Sequence, residues 1–451
     1  MNRERKIKSG RFYTALRRLA IPIALQQMIV STVNLADVMM LARMGTEVVA
    51  GAGLANQVYF LLTVLNYGLY SGMGVFLAQY WGRKDMHHIR STLGLGLAVG
   101  TVASMLFTLA AVLQPVSILS LISSDETALE LGTSYLRIAA SSYLFTSIST
   151  CLGIALRSIG EARIPLFTSV LSLVLNIFFN YILIFGRFGC PALGIEGAAL
   201  GTCMARTIEL AVLVFLIWKH AWFLMSDVRG MLAFDWKFMF HYAKIAVPVI
   251  INETLWGLGM VMYVAAYEKA GIDALAVSQV AGTIQNITEL VSMGIGNAAA
   301  VMIGNVIGEG WPRAAYVYAK KFLFLSLKFG ICVGAVLILC IPLILHLVVM
   351  PQDVKMMLGW SLVVCAVLVP LKTISVVIIV GILRGGGDTR YAMLVETCNV
   401  WLVGVPLAFI GAVVWQLPIY WLMLLINMEE IGKTAWGLYR TYSGRWIRDI
   451  T

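Results

Sequence analysis

Apolar residues in this chain do not alternate with polar ones; they run on in long blocks separated by short polar breaks. Residues 92–118 and 321–349 are two such blocks, with few charges or none. A block of 18 or more apolar residues is long enough to cross a bilayer core of about 30 Å. In hydrocarbon a crossing segment must satisfy its own backbone hydrogen bonds, which favours helices. Twelve helical spans are predicted: 16–41, 47–79, 91–113, 132–155, 164–186, 195–218, 241–267, 275–307, 321–348, 357–383, 391–414 and 418–437. The second and eighth exceed what a bilayer needs, so tilt or extension beyond the membrane is expected. The basic first 18 residues lead into an apolar run with no small-residue cleavage site, which reads as a retained first helix.

Composition agrees with the pattern. Of 451 residues, 60% are apolar and 12% charged, and the mean hydropathy is +0.86, too apolar for a water-facing surface. The net charge of +10 would suggest nucleic acid in a soluble chain. Here it follows the spans. With a cytoplasmic N-terminus, the inside segments hold 25 of the 33 Lys and Arg, while the outside loops hold four: Arg43, Arg187, Lys269 and Lys355. That asymmetry supports an even number of spans. Seven cysteines lie mostly inside apolar runs without CxxC spacing and read as buried small apolar residues.

The chain also repeats itself. Shifted by 226 positions, Ala20, Pro22, Gly45, Ala50, Ala55, Gly68 and Gly82 fall on Ala246, Pro248, Gly271, Ala276, Ala281, Gly294 and Gly308. One residue further on, LRSIGEAR at 156–163 falls on LRGGGDTR at 383–390. Six spans per half is even, so the halves share one orientation, a parallel repeat found in secondary transporters. The expected architecture is an all-α integral membrane protein: twelve transmembrane helices in two parallel six-helix lobes, 1–225 and 226–451, around a central cavity.

Ionisable and polar residues within spans are costly and are functional candidates. Asp37 lies 19 residues past Arg18, about 28 Å along a helix, in the outer part of the first span. A carboxylate there can exchange a proton near neutral pH or bind Na⁺ with neighbouring oxygens; the plainer reading is an interfacial acid near Arg43. Asn176 and Asn180 share one helix face, and Thr202 lies in the next span; helix–helix hydrogen bonding is the plainer role for all three. Pro22 permits a bend in the first span. Glu253 sits midway along the seventh span, facing a cavity or paired with a buried base such as Lys372. Glu289 and Glu396 could line the second lobe, and Glu209 could pair with Arg206 three residues away. Asp388, in the repeated turn, reads as too close to water for a transport site. Among 48 aromatic residues, Trp256, Tyr263 and Tyr267, with Tyr59, Tyr67 and Tyr70, could line a cavity for lipophilic cations; lipid-facing anchoring is the alternative. No Walker A, HExxH or GxSxG motif is present, so neither ATP hydrolysis nor another enzyme activity is expected.

Several segments resemble the multidrug and toxic compound extrusion (MATE) family of bacterial DinF-like and NorM-like transporters. These are IPIALQQ at 21–27, NLADVMMLARMG at 34–45, AQYWGRKD at 78–85, LRSIGEARIPL at 156–166, LNIFFNYILIFG at 175–186, LGIEGAALGT at 193–202, AVPVIINE at 246–253, LRGGGDTR at 383–390 and SGRWIRDIT at 443–451. The resemblance implies a secondary antiporter that exports lipophilic organic cations in exchange for H⁺ or Na⁺, with no cofactor beyond that ion. It implies a coupling site in the N-terminal lobe at Asp37, Asn176, Asn180 and Thr202, and bending of the first helix at Pro22. The DinF-like branch often has Asp where this chain has Asn180, so the site lacks one negative charge and the choice of ion stays open. Glu253 resembles the seventh-helix acid of the NorM-like branch and, with Trp256 and Tyr263, is the candidate for substrate or a second ion. No metal site is implied. The further expectations are a monomer in the plasma membrane with both termini cytoplasmic, surrounded by lipid and binding no nucleic acid. A flippase for lipid-linked oligosaccharide is the alternative within the same superfamily.

Overall fold

The computed structural model describes residues 9–232 and 235–451, and the side chains of all of these except 9–11, 228 and 232. Of the basic residues assigned to the inside, Arg3, Arg5, Lys6, Lys8 and the side chain of Arg11 lie outside this description. Among the described residues the regular structure is helical throughout. The principal helices of the first half are α1 (Ser9–Leu41), α2 (Thr46–Arg83), α3 (Met86–Leu113), α4 (Glu126–Ala139), α5 (Ser142–Ser158), α6 (Arg163–Phe185) and α7 (Gly194–His220). The second half has α8 (Trp236–Lys269), α9 (Ile272–Gly308), α10 (Pro312–Leu347) and α11 (Gln352–Val376), which continues as a π-helix over Val377–Arg384. It closes with α12 (Thr389–Asn399), extended to Val414 in mixed π and α turns, then α13 (Ile419–Ile426) and α14 (Met428–Ser443).

All twelve predicted spans fall on helices. Ten of the described helices are long and apolar enough to cross a membrane, or eleven if α4 and α5 form one span. Two predicted spans are interrupted. The span 132–155 is bent by 53° between α4 and α5. There Ser141 and Ser142 donate to the carbonyls of Ile138 and Ala139 at 2.6 and 2.7 Å, the local back-bonding that bends helices. The span 418–437 breaks at Asn427, whose side-chain amide donates to the Met423 carbonyl at 2.6 Å. Its second part, α14, carries Glu429, Glu430 and Lys433, too polar for a lipid-facing crossing. Helix starts are set by acids: Asp85 accepts from the His88 amide at 3.1 Å, and Asp125 from the Thr127 and Ala128 amides.

The chain divides into two compact units, 25–246 and 1–24 with 247–451. Their boundaries lie inside α1 and α8, each two residues from Pro22 or Pro248, rather than at the sequence midpoint between 225 and 226. In the first unit, Leu54, Ala55, Val58 and Leu62 of α2 pack with Leu136 and Ala139 of α4 and with Ala198 and Ala199 of α7. In the second, Val277 and Ala281 of α9 pack with Leu358, Leu362 and Ala366 of α11. A side chain at Gly330 of α10 would strike the Pro370 backbone of α11, the small-residue approach on which membrane helices depend. Large apolar residues such as Leu339, at 80% exposure, and Leu402, at 72%, point outward, as hydrocarbon allows.

The repeat is visible in backbone conformation. Gly45 and Gly271, repeat mates, have φ of 129° and 122°, and each precedes a long helix. Gly160 and Gly387 have φ of 93° and 84° within the repeated turn. In both turns the acid's amide donates to the carbonyl five residues back, Glu161 to Leu156 at 2.8 Å and Asp388 to Leu383 at 2.9 Å. All seven cysteines are free; Cys151 and Cys365 are buried, whereas Cys190 and Cys332 are exposed. The expectation of general burial fails at Cys190, which lies in the loop after α6, and at Cys332, because the outward surface of α10 is as apolar as a core.

Candidate functional site

In the 25–246 unit, α1, α6 and α7 bring four polar side chains together. Asn180 donates from its side-chain amide to Asp37 at 2.5 Å and to the Asn176 side-chain oxygen at 3.4 Å. Asn176 donates to the Thr202 hydroxyl at 3.2 Å. The one-turn spacing of the two asparagines stacks their amides along one face of α6. Both are buried, while Asp37 is half-buried. The side-chain oxygen of Asn180 is buried without a hydrogen-bond partner. One carboxylate, two amide oxygens and a hydroxyl make a hard oxygen set, suited to a proton on Asp37 or to a small monovalent cation. On α7, Arg206 pairs with Glu209 at 2.8 Å, as their spacing predicts. Pro22 lies within the continuous helix α1. Among the described residues no group of three or more His, Cys, Asp or Glu could hold a metal ion.

The other unit carries a denser network. Glu253 of α8 pairs with Arg384 at 2.6 Å, and Arg384 reaches Glu396 of α12 at 3.4 Å. The side-chain amide of Asn252 donates to Glu396 at 2.5 Å. On α14, Lys433 holds Glu429 at 2.8 Å and Glu430 at 3.2 Å. Tyr263 donates its hydroxyl to Glu429. Glu253, Trp256, Glu289, Arg384, Glu396 and Glu430 line part of a cavity of about 50 Å³. That holds a few waters or an ion, against roughly 300–1,000 Å³ for a drug-sized ligand. Trp256 therefore shares a cavity with Glu253, while Tyr263 engages Glu429.

Three sequence expectations need correction here. The base on Glu253 is Arg384, at 2.6 Å, not Lys372. Arg384 and Lys433, both counted among the inside basic residues that set topology, are buried inside this network. Asp388 is fully buried rather than near water, held by Arg440 at 2.8 Å and Arg448 at 3.0 Å. The α14 residues were missed as site residues, although a Glu-Glu-x-x-Lys run inside a predicted span is a readable ion-pair signal.

The chain matches the MatE family over residues 22–182 and 247–410. It is 25% identical to the "Probable multidrug resistance protein NorM" of Thermotoga maritima, over 96% of this chain and 92% of that protein. It is 28% identical to the "Multidrug resistance protein NorM" of Burkholderia vietnamiensis, over 93% and 89%. Among solved structures it resembles a MATE protein in the bent conformation, with a TM-score of 0.86, 19% identity and 96% of both chains covered. It also resembles one in the straight conformation, with a TM-score of 0.84, 20% identity and 96% and 95% covered.

Proposed function

The chain belongs to the MatE family, and on that premise we propose that it is a secondary antiporter exporting lipophilic organic cations in exchange for H⁺ or Na⁺. The observation that carries the reading is the Asp37–Asn180–Asn176–Thr202 chain of hydrogen bonds, a single carboxylate embedded among neutral oxygens. Such a site binds one monovalent positive charge and releases it when its surroundings change. The relatives named as multidrug resistance proteins support the export of varied compounds. Glu253 belongs in this reading to a second ion rather than to the cargo. The ion pairs of this unit set four carboxylates (Glu253, Glu396, Glu429 and Glu430) against two bases (Arg384 and Lys433), and Glu289 lines the same cavity. Buried unpaired charge is expensive, so protons or a cation must balance the excess. Pro22 is the bending point of α1, both termini are cytoplasmic, and the protein works as a monomer in the plasma membrane, with lipid rather than nucleic acid as its surroundings.

The test is efflux of a fluorescent organic cation from proteoliposomes under an imposed pH or Na⁺ gradient. Gradient-driven efflux in the wild type, reduced to background in Asp37→Asn, is the expected result and identifies the ion. Undiminished efflux in Asp37→Asn would remove the proposed coupling site and transfer coupling to Glu253. Folded wild-type protein that exports nothing under either gradient would favour flipping of a lipid-linked oligosaccharide.

A further inference from the structure

Residues 444–451 lie against the protein around a single buried side chain. Trp446 is fully buried, and its indole N–H donates to the Thr441 carbonyl at 2.9 Å. The Arg448 amide donates to the Gly386 carbonyl at 2.8 Å, while its guanidinium holds one oxygen of Asp388. Arg440 holds the other through two nitrogens, each at 2.8 Å, and lies over the Tyr391 ring. Glycines make the seat: a side chain at Gly386 would strike Trp446, and one at Gly387 would meet Ile450 and the Arg448 carbonyl.

The turn that this segment grips connects the two sides of the buried network. Arg384 immediately precedes it, and α12, which carries Glu396, starts directly after Asp388. Within the turn, the amide of Gly387 donates to the Arg384 carbonyl at 2.8 Å and that of Asp388 to Leu383 at 2.9 Å. Movement of Asp388 therefore shifts both Arg384 and the helix of its partner Glu396. We propose that residues 444–451 form a clasp: Trp446 and Arg448, with Arg440, hold the 385–388 turn and so position Arg384 between Glu253 and Glu396. Arg440 and Arg448 are thus positioning residues, touching neither ion nor cargo. The consequence for transport rests on the antiport reading; the structural claim does not.

Hydrogen–deuterium exchange of the full-length protein tests the claim directly. Arg448→Ala should raise amide exchange across 385–399 by about tenfold, since the buried Asp388 carboxylate then loses one of its two arginines, and leave α6 unchanged. Arg448→Lys should restore most of the protection. Unchanged exchange at 385–399, or an equal rise in every helix, would overturn the clasp. In vesicles where the wild type exports the dye, Arg448→Ala should displace the pH profile of efflux and add nothing further in an Arg384→Lys background. An unmoved profile, or effects that simply multiply, would refute positioning through Arg384. Absence of wild-type export would count against antiport, and the exchange result would still decide the clasp.

Discussion

At the residue scale, the geometry around Asp37 depends on an atom that is missing. A Cβ at Gly201 of α7 would collide with the Asn180 side-chain oxygen and press on the α6 backbone at Asn180, 3.2 Å away. Gly201→Ala should therefore displace the amide that donates to Asp37. Overpacking of this kind costs about 1–3 kcal/mol, so the unfolding midpoint should fall and efflux should fall with it. Gly53→Ala, where the added carbon meets nothing within 4 Å, is the matched control and should change neither. Unaltered efflux in a folded Gly201→Ala protein would show that the Asn180–Asp37 contact is dispensable. The converse change, Asn180→Asp, sets a second carboxylate against the first. Two acids at that distance cannot both ionise without a proton or cation between them. The apparent affinity for the coupling ion should rise, as read from efflux against pH and Na⁺ concentration; an unchanged affinity would place the ion elsewhere.

At the scale of elements, the π-helix at Val377–Arg384 determines where the buried Arg384 points. An inserted residue widens the turn and re-aims every side chain after it. Deleting Val380 should return the stretch to α-helical register and swing Arg384 by about 100°, away from Glu253 and Glu396. Breaking a buried charge pair costs about 3–5 kcal/mol, so thermal unfolding should drop sharply; a variant as stable as wild type would mean that the register does not matter. This also marks how far the sequence could be read. Helical periodicity alone puts Asn176 and Asn180 on one face; that Asp37 of the first span and Thr202 of the sixth join them was legible only through the family resemblance. Arg384 was not: an arginine beside three glycines at the end of an apolar run looks like a topology signal. Only the π register and the burial of the turn reveal it as the partner of Glu253. The breaks at Ser141 and Asn427 were missed for a related reason, since hydropathy records an apolar block and not which carbonyls a side chain captures.

At the scale of the whole molecule, the charge asymmetry must be recounted once burial is known. Arg384 and Lys433 serve the interior network, so they say little about which side faces the cytoplasm. Removing them from the inside set leaves 23 basic residues there against four in the outside loops. The asymmetry survives, because the signal lies in many short connections rather than in any one residue. It predicts that the α6–α7 loop is external and the connection after α7 internal. Cys190, exposed in that loop, and Arg229, exposed in the connection, flank α7. In a background where Cys190 is the only cysteine, a membrane-impermeant maleimide should label intact cells. With Cys190 also replaced and Arg229→Cys introduced, labelling should require permeabilisation. The reverse pattern would invert the molecule and make both termini external, while labelling of both from outside would mean that α7 does not cross the bilayer. Only the first result lets an inward pH or Na⁺ gradient reach Asp37 from the outer end of α1, the direction that export requires.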